Sequence, residues 1–327
     1  MIRQLVFSML AIAGMASCSS SNDHPYDPSN QRKINLGVGV DEIVSKAAIN
    51  PQEKNDFTAA DEIYLLRTDI NKGEVLPPID GVQEVGIDEN KKFLLPSEWE
   101  YFDGEKETFF TGYYPAGTFS AGSGADPSTV SFANVNGEKD IVYASPYSVG
   151  TKDAPTVDPV LTFKHLLSQI QINVVGTVAG QRAFGKIKKI SIIDIPTSID
   201  LYLNVKVDLE VREAAGSPKT DVVIYEDAIG TVIPTNSTPI GVIPMIFSGG
   251  ANPYGTKDHP LNLLVETEDG GETYVSVTNI GGTEDAATGL EMGKKHIITL
   301  TFKDKIIVSA AIKPWDPNGK SGSGDVG

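Results

Sequence analysis

The feature of this chain that most constrains its fold is a succession of short apolar runs, each bounded by residues that favour turns. The chain has 32 glycines and 20 prolines, and such residues separate the runs and end them. Ile34, Leu36, Val38 and Val40 alternate with small or polar residues, as a strand with one buried face requires. Because helical periodicity is nearly absent, the pattern favours antiparallel β-sandwiches over layered α/β folds.

The predicted strands fall into two series, which indicates two domains. The first series comprises residues 34–40, 62–67, 108–114, 140–144, 160–163 and 169–175. The second comprises residues 187–193, 201–211, 221–225, 241–247, 261–266, 272–277, 296–302 and 306–312. About 310 residues exceed the size at which a single core stops growing, so we predict two tandem antiparallel β-sandwiches, at residues 34–178 and 179–327. Residues 96–101 and 165–168 are the candidates for a short helix.

The only cysteine, Cys18, ends a short leader that is typical of a bacterial lipoprotein. Arg3 supplies the positive start, residues 5–15 are mostly apolar, and the small residues Ala16 and Ser17 precede the cysteine. The apolar stretch is shorter than the roughly 18 residues of a membrane-spanning helix. An ordinary secretory leader is the alternative, but it gives no reason for a lone cysteine at this place.

The leader therefore predicts a lipid-anchored protein. Residues 1–17 would be the signal peptide, and acyl chains on Cys18 would hold the protein to the outer membrane of a Gram-negative bacterium, at the cell surface. Residues 18–33 are rich in Ser, Asn, Asp and Pro, which predicts a flexible tether. Because no further cysteine follows, the exported fold must be stabilised by core burial rather than by disulfides.

The chain is strongly acidic, which argues against one class of partner. Its formal charge is −16, and loss of the leader with Arg3 makes it −17. Since proteins bind phosphate backbones mainly through Lys and Arg, we expect no nucleic-acid partner.

The sequence offers little to a catalytic or metal-binding interpretation. A catalytic cysteine is excluded because Cys18 is the predicted lipid acceptor, no Gly-x-Ser-x-Gly elbow occurs, and residues 37–39 lack the third glycine of a dinucleotide loop. None of the four histidines, His24, His165, His259 and His296, has a second histidine at metal-ligand spacing. We therefore expect no enzyme, no metal and no cofactor.

The aromatic residues support two interpretations. Phe109, Phe110, Tyr113 and Tyr114 lie on one predicted strand, and such residues more often fill a sandwich core than form a carbohydrate platform. Trp99 and Trp315 lie near predicted turns and, if exposed, could stack on sugar rings.

Several segments, taken in order, resemble the fimbrillin family, the subunits of type V pili and their Mfa-like relatives. The resembling segments come after the predicted lipoprotein leader and the tether, and the resemblance extends to Trp315. The segments are FTAADEI at residues 57–63, FTGYYP at 110–115, DIVYA at 140–144, LTFKHL at 161–166 and HIITLTF at 296–302. The resemblance implies two transthyretin-like sandwiches and a function in fimbriae and cell adhesion.

The resemblance also implies assembly by exchange of strands. In this family a protease removes the first strand after export, and a strand of another subunit fills the groove that opens. Here the removed strand would be residues 34–40, with the cut between Lys46 and Ala47, where lysine stands in place of the family's usual arginine. The donor would be the last strand, with Ile306, Val308, Ala310 and Ile312 facing the groove of the next subunit.

Two other functions stay open at this point. A monomeric surface lipoprotein could bind glycans or a host ligand, or the chain could be a tip adhesin that accepts a strand without donating one. A secreted hydrolase on a β-sandwich is a third alternative, disfavoured because no nucleophile or acid pair is singled out.

Overall fold

The computed structural model describes residues 33–40, 54, 56–68, 81–102, 106–122, 127–203, 210–283 and 285–314. The predicted signal peptide, Cys18, the tether up to residue 32, the predicted cut at Lys46 and Ala47, and Trp315 lie outside these residues. No helix among the described residues is long and apolar enough to cross a bilayer.

Nineteen strands and one helix make up the described part of the chain. The first nine strands are β1 (Gly37–Val40), β2 (Ile63–Thr68), β3 (Val82–Val85), β4 (Phe109–Tyr114), β5 (Thr118–Ser120), β6 (Thr129–Ala133), β7 (Val142–Ser148), β8 (Val160–His165) and β9 (Ser168–Gly176). The helix is α1 (Val178–Phe184). The remaining strands are β10 (Lys186–Pro196), β11 (Ser198–Tyr202), β12 (Glu210–Glu213), β13 (Lys219–Val232), β14 (Thr238–Ile240), β15 (Met245–Ile246), β16 (Leu261–Thr267), β17 (Gly271–Val277), β18 (Lys294–Phe302) and β19 (Ile306–Pro314).

The strands form four sheets, which confirms the predicted all-β sandwich class. A six-stranded sheet has the order β1-β8-β7-β4-β2-β3, and a five-stranded sheet has the order β14-β9-β18-β19 with β15 also paired to β9. The two four-stranded sheets have the orders β13-β10-β16-β17 and β12-β11-β6-β5. Most pairs are antiparallel, but β1 is parallel to β8 and β9 is parallel to β18.

Two sheets contain strands from both predicted domains. One is the five-stranded sheet, where β9 pairs with β18, and the other is the sheet with the order β12-β11-β6-β5. In the latter sheet β6 pairs with β11, so that Phe132 lies opposite Ile199 across the predicted boundary between residues 178 and 179. In each of the three sheets other than this one, all strands lie either before residue 166 or after residue 167 in the sequence. The exact domain boundary remains a prediction.

The six-stranded sheet is buried on both faces. Leu65 and Phe110 point into one hydrophobic cluster, whereas Leu66 and Tyr113 point into a second cluster that continues through the later sheets. Phe132 of β6 contacts Tyr113 edge to face, with ring centroids 5.9 Å apart. The core interpretation of the aromatic strand is therefore confirmed, because Phe109, Phe110 and Tyr113 are all buried.

The one described helix lies where no helix was predicted. Both helix candidates were wrong: residues 96–101 form a turn, and residues 165–168 join two strands. Helix α1 begins after Thr177, whose side chain accepts a hydrogen bond from the Gly180 N–H, and it ends at Gly185 with φ 66°. Seven residues are too few to display a helical period, so the two capping residues were the available signal.

A buried acid–histidine pair connects three segments next to the six-stranded sheet. Asp140 Oδ2 lies 2.7 Å from His165 Nδ1, and the Lys54 backbone N–H donates to the same oxygen over 3.0 Å. The Asp140 and His165 side chains are only 0% and 3% exposed. Since groups this deeply buried depend on their partners, the pair holds Lys54 against the ends of β7 and β8.

A second buried histidine lies between β9 and β19. His296 of β18 is opposite Ile170 and Ile312, and its Nε2 accepts the Glu291 N–H over 3.1 Å. Its Nδ1 has no hydrogen-bond partner among the described residues. Burial lowers the pKa of His296 below its ordinary 6.5, aided by the charge of Lys294 and opposed by the backbone and charge of Glu291.

We expect Asp140→Ala to lower the free energy of unfolding by about 3 kcal/mol, because removing one partner leaves a buried polar group unpaired. Urea unfolding monitored by circular dichroism measures the change. The control is Glu213→Ala, which removes an ion pair with Lys219 whose side chains are 38% and 39% exposed. This variant should lose less than about 1 kcal/mol. Equal losses in the two variants would contradict the role given to Asp140.

We expect stability to decrease as the pH falls below about 6.5, because His296 binds a proton more readily in the unfolded chain than in the folded one. The contribution is complete above the unfolded pKa and is lost at lower pH. Urea unfolding at pH 7.5 and pH 5.0 should show a smaller difference for His296→Gln than for the parent. His259→Gln, at a partly exposed histidine bonded to Asn252 O, should keep the parent's pH dependence.

Candidate assembly site

The first strand is held along both of its edges. On one side β1 is parallel to β8, and the Gly37 N–H donates to Pro159 O over 2.7 Å. On the other side the Phe93 N–H donates to Leu36 O over 2.9 Å, and the Val38 N–H donates to Lys91 O over 3.0 Å. Removing β1 would therefore leave unpaired backbone groups on both walls of a groove.

The alternation predicted for residues 34–40 is confirmed. Ile34, Leu36 and Val38 are buried in the cluster on one face of the six-stranded sheet, and Val40 packs against it. The cluster also contains Leu161 and Phe163 of β8. Without β1 the groove would have an apolar floor, and an exposed apolar floor beside unpaired edges favours the addition of a strand.

A short segment that follows the predicted cut is attached to the body of the protein, and no role was predicted for it. Phe57 is buried, with its ring centroid 5.0 Å from that of Phe163 and 5.7 Å from that of Tyr114, both edge to face. Lys91 Nζ donates to the Phe57 carbonyl oxygen. We define the Lys54–Asp61 anchor as residues 54 and 56–61.

Charged groups hold the same anchor to the body of the protein. Lys54 Nζ lies 2.5 Å from Asp61 Oδ1 and 4.8 Å from the centre of the Tyr114 ring. Burial opposes ionisation of Asp61, but hydrogen bonds from Lys54 and Thr58 outweigh it and lower the pKa of this carboxyl. These charged contacts do not involve residues 34–40, whereas the Phe57 ring shares the hydrophobic cluster of Ile34, Leu36 and Val38.

The predicted processing residues, Lys46 and Ala47, lie outside the described residues, between β1 and the anchor in the sequence. Arg67 is the basic residue of the neighbouring strand β2. Its Nη1 donates to Glu100 O over 2.7 Å, and its guanidinium lies 4.7 Å from the centre of the Phe102 ring. Because Arg67 is buried, a protease would not reach it in the folded protein.

The predicted donor strand is an edge strand. Among the described strands β19 pairs with β18 alone, in an antiparallel register from Ile306 opposite Phe302 to Pro314 opposite Lys294. Ile306, Val308, Ala310 and Ile312 are partly buried and pack against the larger hydrophobic cluster. The residues between them, Ile307, Ser309 and Ala311, are exposed. Donation by β19 remains a prediction.

The exposure of Trp99, which the sequence left open, is decided by the structure. Trp99 is only 3% exposed, and its ring lies 5.6 Å from both the Phe110 ring and the Arg67 guanidinium. The predicted turn is present, since the Trp99 N–H donates to Pro96 O, but the turn folds over the sheet. Trp99 is therefore unavailable for stacking on a sugar.

The described histidines do not converge on a common site. His165 contacts Asp140, His296 contacts the backbone of Glu291, and His259 contacts Asn252 O. The part of the chain that the structure describes contains no group of three or more His, Cys, Asp or Glu residues that could hold a metal ion.

Comparisons with known proteins show the family and the fold of this chain. The fimbrillin-like family matches residues 47–315 of the chain, whereas no curated protein matches it. A fimbrial protein from Bacteroides vulgatus ATCC 8482 has a similar structure, with a TM-score of 0.53, 14% identity, and coverage of 87% of this chain and 99% of that chain. A candidate cell adhesion protein from Bacteroides uniformis ATCC 8492 has a TM-score of 0.50 and 15% identity, and the coverage is 87% and 99%.

At these identities the solved structures establish the likeness of the fold, and the family match establishes membership. The matched residues include the anchor and all strands from β2 to β19. The chain belongs to the fimbrillin-like family.

Proposed function

We propose that this protein is a structural subunit of a type V-like fimbria that serves cell adhesion, and that it assembles by proteolysis-dependent strand exchange. The observation that carries the proposal is the placement of β1 between β8 and residues 91–93, with its apolar side chains buried beneath it. One cut between β1 and the anchor would separate the strand from the body of the protein. The subunit would then offer a groove with two unpaired edges.

The difference in burial between the two strands supports the direction of the exchange. Of the inward residues of the first strand, Ile34, Leu36 and Val38 are buried and Val40 is partly buried. All four inward residues of β19 are only partly buried, at the edge of their own sheet. Moving the inward side chains of β19 into a vacated groove would take more apolar surface out of water. Because donor and acceptor surfaces differ, each added subunit presents a new donor or groove, and the contact propagates into a filament.

The remaining parts of the proposal concern export and partners. A lipid on Cys18 would hold the precursor to the outer membrane until the cut releases residues 18–46 from the rest of the chain. The partners would be a maturation protease and other fimbrial subunits. The proposed role is structural rather than catalytic, with no cofactor, metal or nucleic acid required.

A monomeric surface lipoprotein that binds glycans or a host ligand is the competing proposal, together with a tip adhesin that does not polymerise. Burial of Trp99 removes one of the two tryptophans on which sugar stacking was to depend. Binding to a carbohydrate array without protease-dependent oligomers would favour this alternative.

Limited trypsin treatment of the chain from Ser19 to Gly327 should yield a new N-terminus at Ala47, identified by mass spectrometry, and ladders on gels of unboiled samples. Lys46→Ala should remove both results, because trypsin cuts after lysine and arginine. Lys33→Ala is the control, since Lys33 is exposed and precedes the strand, so it should leave the ladders unchanged. Cleavage after Lys46 with an entirely monomeric product would contradict strand exchange.

Val308→Asp should stop polymer growth while the monomer stays folded. Burying an unpaired carboxylate in an apolar groove costs several kcal/mol, so we expect at least a hundredfold loss of ladder formation. Ile307→Asp is the matched control, because it places the same charge on the exposed face of β19 and should polymerise nearly as well as the parent. Circular dichroism checks that both monomers fold, and normal filaments from Val308→Asp would refute the donor assignment.

A further inference from the structure

The groove under β1 accepts side chains of different size at different positions. Positions 34, 36, 38 and 40 point inward and hold Ile, Leu, Val and Val. The outward positions differ sharply in the space around them. A Cβ atom on Gly37 would lie 3.2 Å from Val160 Cγ2 and 3.3 Å from Pro159 O, which is tighter than an ordinary contact.

The other two outward positions are more open. A Cβ atom on Gly39 would meet Val160 Cγ1 at 3.5 Å, an ordinary van der Waals distance. Asn35 is exposed to solvent. A strand that replaces β1 therefore needs a small outward residue at position 37, where even a Cβ atom requires its neighbours to move by a few tenths of an ångström. Position 39 accepts a Cβ atom at ordinary contact, and position 35 can carry a bulky residue.

The outward residues of β19, read from N- to C-terminus, match in size the space available at positions 35, 37 and 39. Ile307 is bulky, whereas Ser309 and Ala311 are small. With Ser309 at position 37, Ala311 takes position 39 and Ile307 takes the open position 35. The inward residues Ile306, Val308, Ala310 and Ile312 then occupy positions 34, 36, 38 and 40, so every apolar position receives an apolar side chain.

Other alignments lose part of this match. Shifting β19 by two residues in the same direction brings Ile307 or Lys313 onto a glycine position. Reversing the strand about Ser309 brings Ile307 onto position 39 and places Ala310 where the buried Leu36 lies, so that the lost volume is concentrated in one void. The same-direction register divides that loss between Val308 at position 36 and Ala310 at position 38.

A second reversed alignment keeps Ile307 away from position 39 and places a large residue at position 36, but it loses other contacts. With Ala311 at position 37 and Ser309 at position 39, Ile312 fills the place of Leu36. Pro314, which has no N–H to donate, then takes the place of Ile34, and Ile306 falls beyond the end of β1. Only three of the four apolar donor residues enter the groove.

We infer that β19 of a second copy of this chain enters the groove in the same direction as β1, parallel to β8, with Ser309 at the place of Gly37. The inference rests on the proposed function and adds to it the direction and register of the donor. Val160 and Pro159 act as the wall that selects a small donor residue at this position.

Disulfide cross-linking tests the direction. In this register Ala311 of the donor lies opposite Thr162 of the acceptor, as Gly39 does in β1, and paired residues on adjacent strands are within disulfide range. The chain from Ser19 to Gly327 contains every described residue and no cysteine, because Cys18 is the only one. Thr162 and the three outward residues of β19 are exposed, so single cysteines there should leave the monomer folded.

Three double variants are compared after trypsin treatment and mild oxidation with diamide. Thr162→Cys with Ala311→Cys should give ladders that survive boiling without reductant and collapse with it. Thr162→Cys with Ile307→Cys, or with Ser309→Cys, should give at least tenfold less cross-linked product. No variant should cross-link before proteolysis, because β1 still occupies the groove.

The outcomes separate the inference from the function on which it rests. Strong cross-linking of the Ile307 variant identifies the register reversed about Ser309. Strong cross-linking of the Ser309 variant identifies either the other reversed register or the same-direction register shifted by two residues. Either result overturns the inference, while strand exchange stands. Ladders that form in all three variants without any cross-link also overturn it. If the cysteine-free parent forms no ladders after cleavage at Lys46, the proposed function itself fails.

Discussion

The structure depends on the backbone pairing of β1, a short strand that closes one end of the six-stranded sheet. A buried peptide group without a partner costs about 1–3 kcal/mol, so a strand that satisfies two neighbours at once stabilises a whole layer. Here the neighbours are β8 on one side and residues 91–93 on the other, and the side chains of residues 34–40 complete the core beneath. Without β1 the backbone groups of these neighbours would lose their partners, and the core beneath would be uncovered.

The Lys54–Asp61 anchor is attached to the body of the protein, in part through the buried Asp140–His165 pair. The Lys54 backbone N–H donates a hydrogen bond to Asp140. Phe57 packs on Phe163 of β8, the strand that pairs with β1. A cut before the anchor would therefore separate the first strand while the new N-terminal segment stays attached beside the groove. In the proposed exchange, residues 41–53 join the strand that would leave to the anchor that would stay.

Much of the architecture could be predicted from the sequence, because alternation of apolar residues is a local signal. The inward set of Ile34, Leu36 and Val38 and the aromatic core strand β4 were predicted for the correct faces. The sequence analysis missed β6 and placed a strand over residues 241–247, where only Met245–Ile246 is a strand. Gly241 has φ 73°, a conformation that glycine adopts readily in turns, and it lies between β14 and β15.

The candidate site could be predicted only in part, for a different reason. The burial of Trp99 could not be predicted, because a turn signal indicates where the chain reverses and not what the turn covers. The parallel pairing of β1 with β8, and the backbone bonds from residues 91 and 93, join segments far apart in the sequence and leave no trace in local periodicity. The role of the Lys54–Asp61 anchor was missed because its partners, Tyr114, Asp140 and Phe163, lie more than 50 residues away.

By itself, the sequence determined the all-β class, the inward faces of the first and last strands, and the family resemblance, since these follow from residue type and spacing along the chain. The tertiary structure alone decided which strands are neighbours, and therefore that β1 is held on both edges while β19 is held on one. It also decided that position 37 has room for a small side chain only, because Val160 and Pro159 reach it across the sheet. Contacts of that kind depend on distance in space, which the order of residues does not specify.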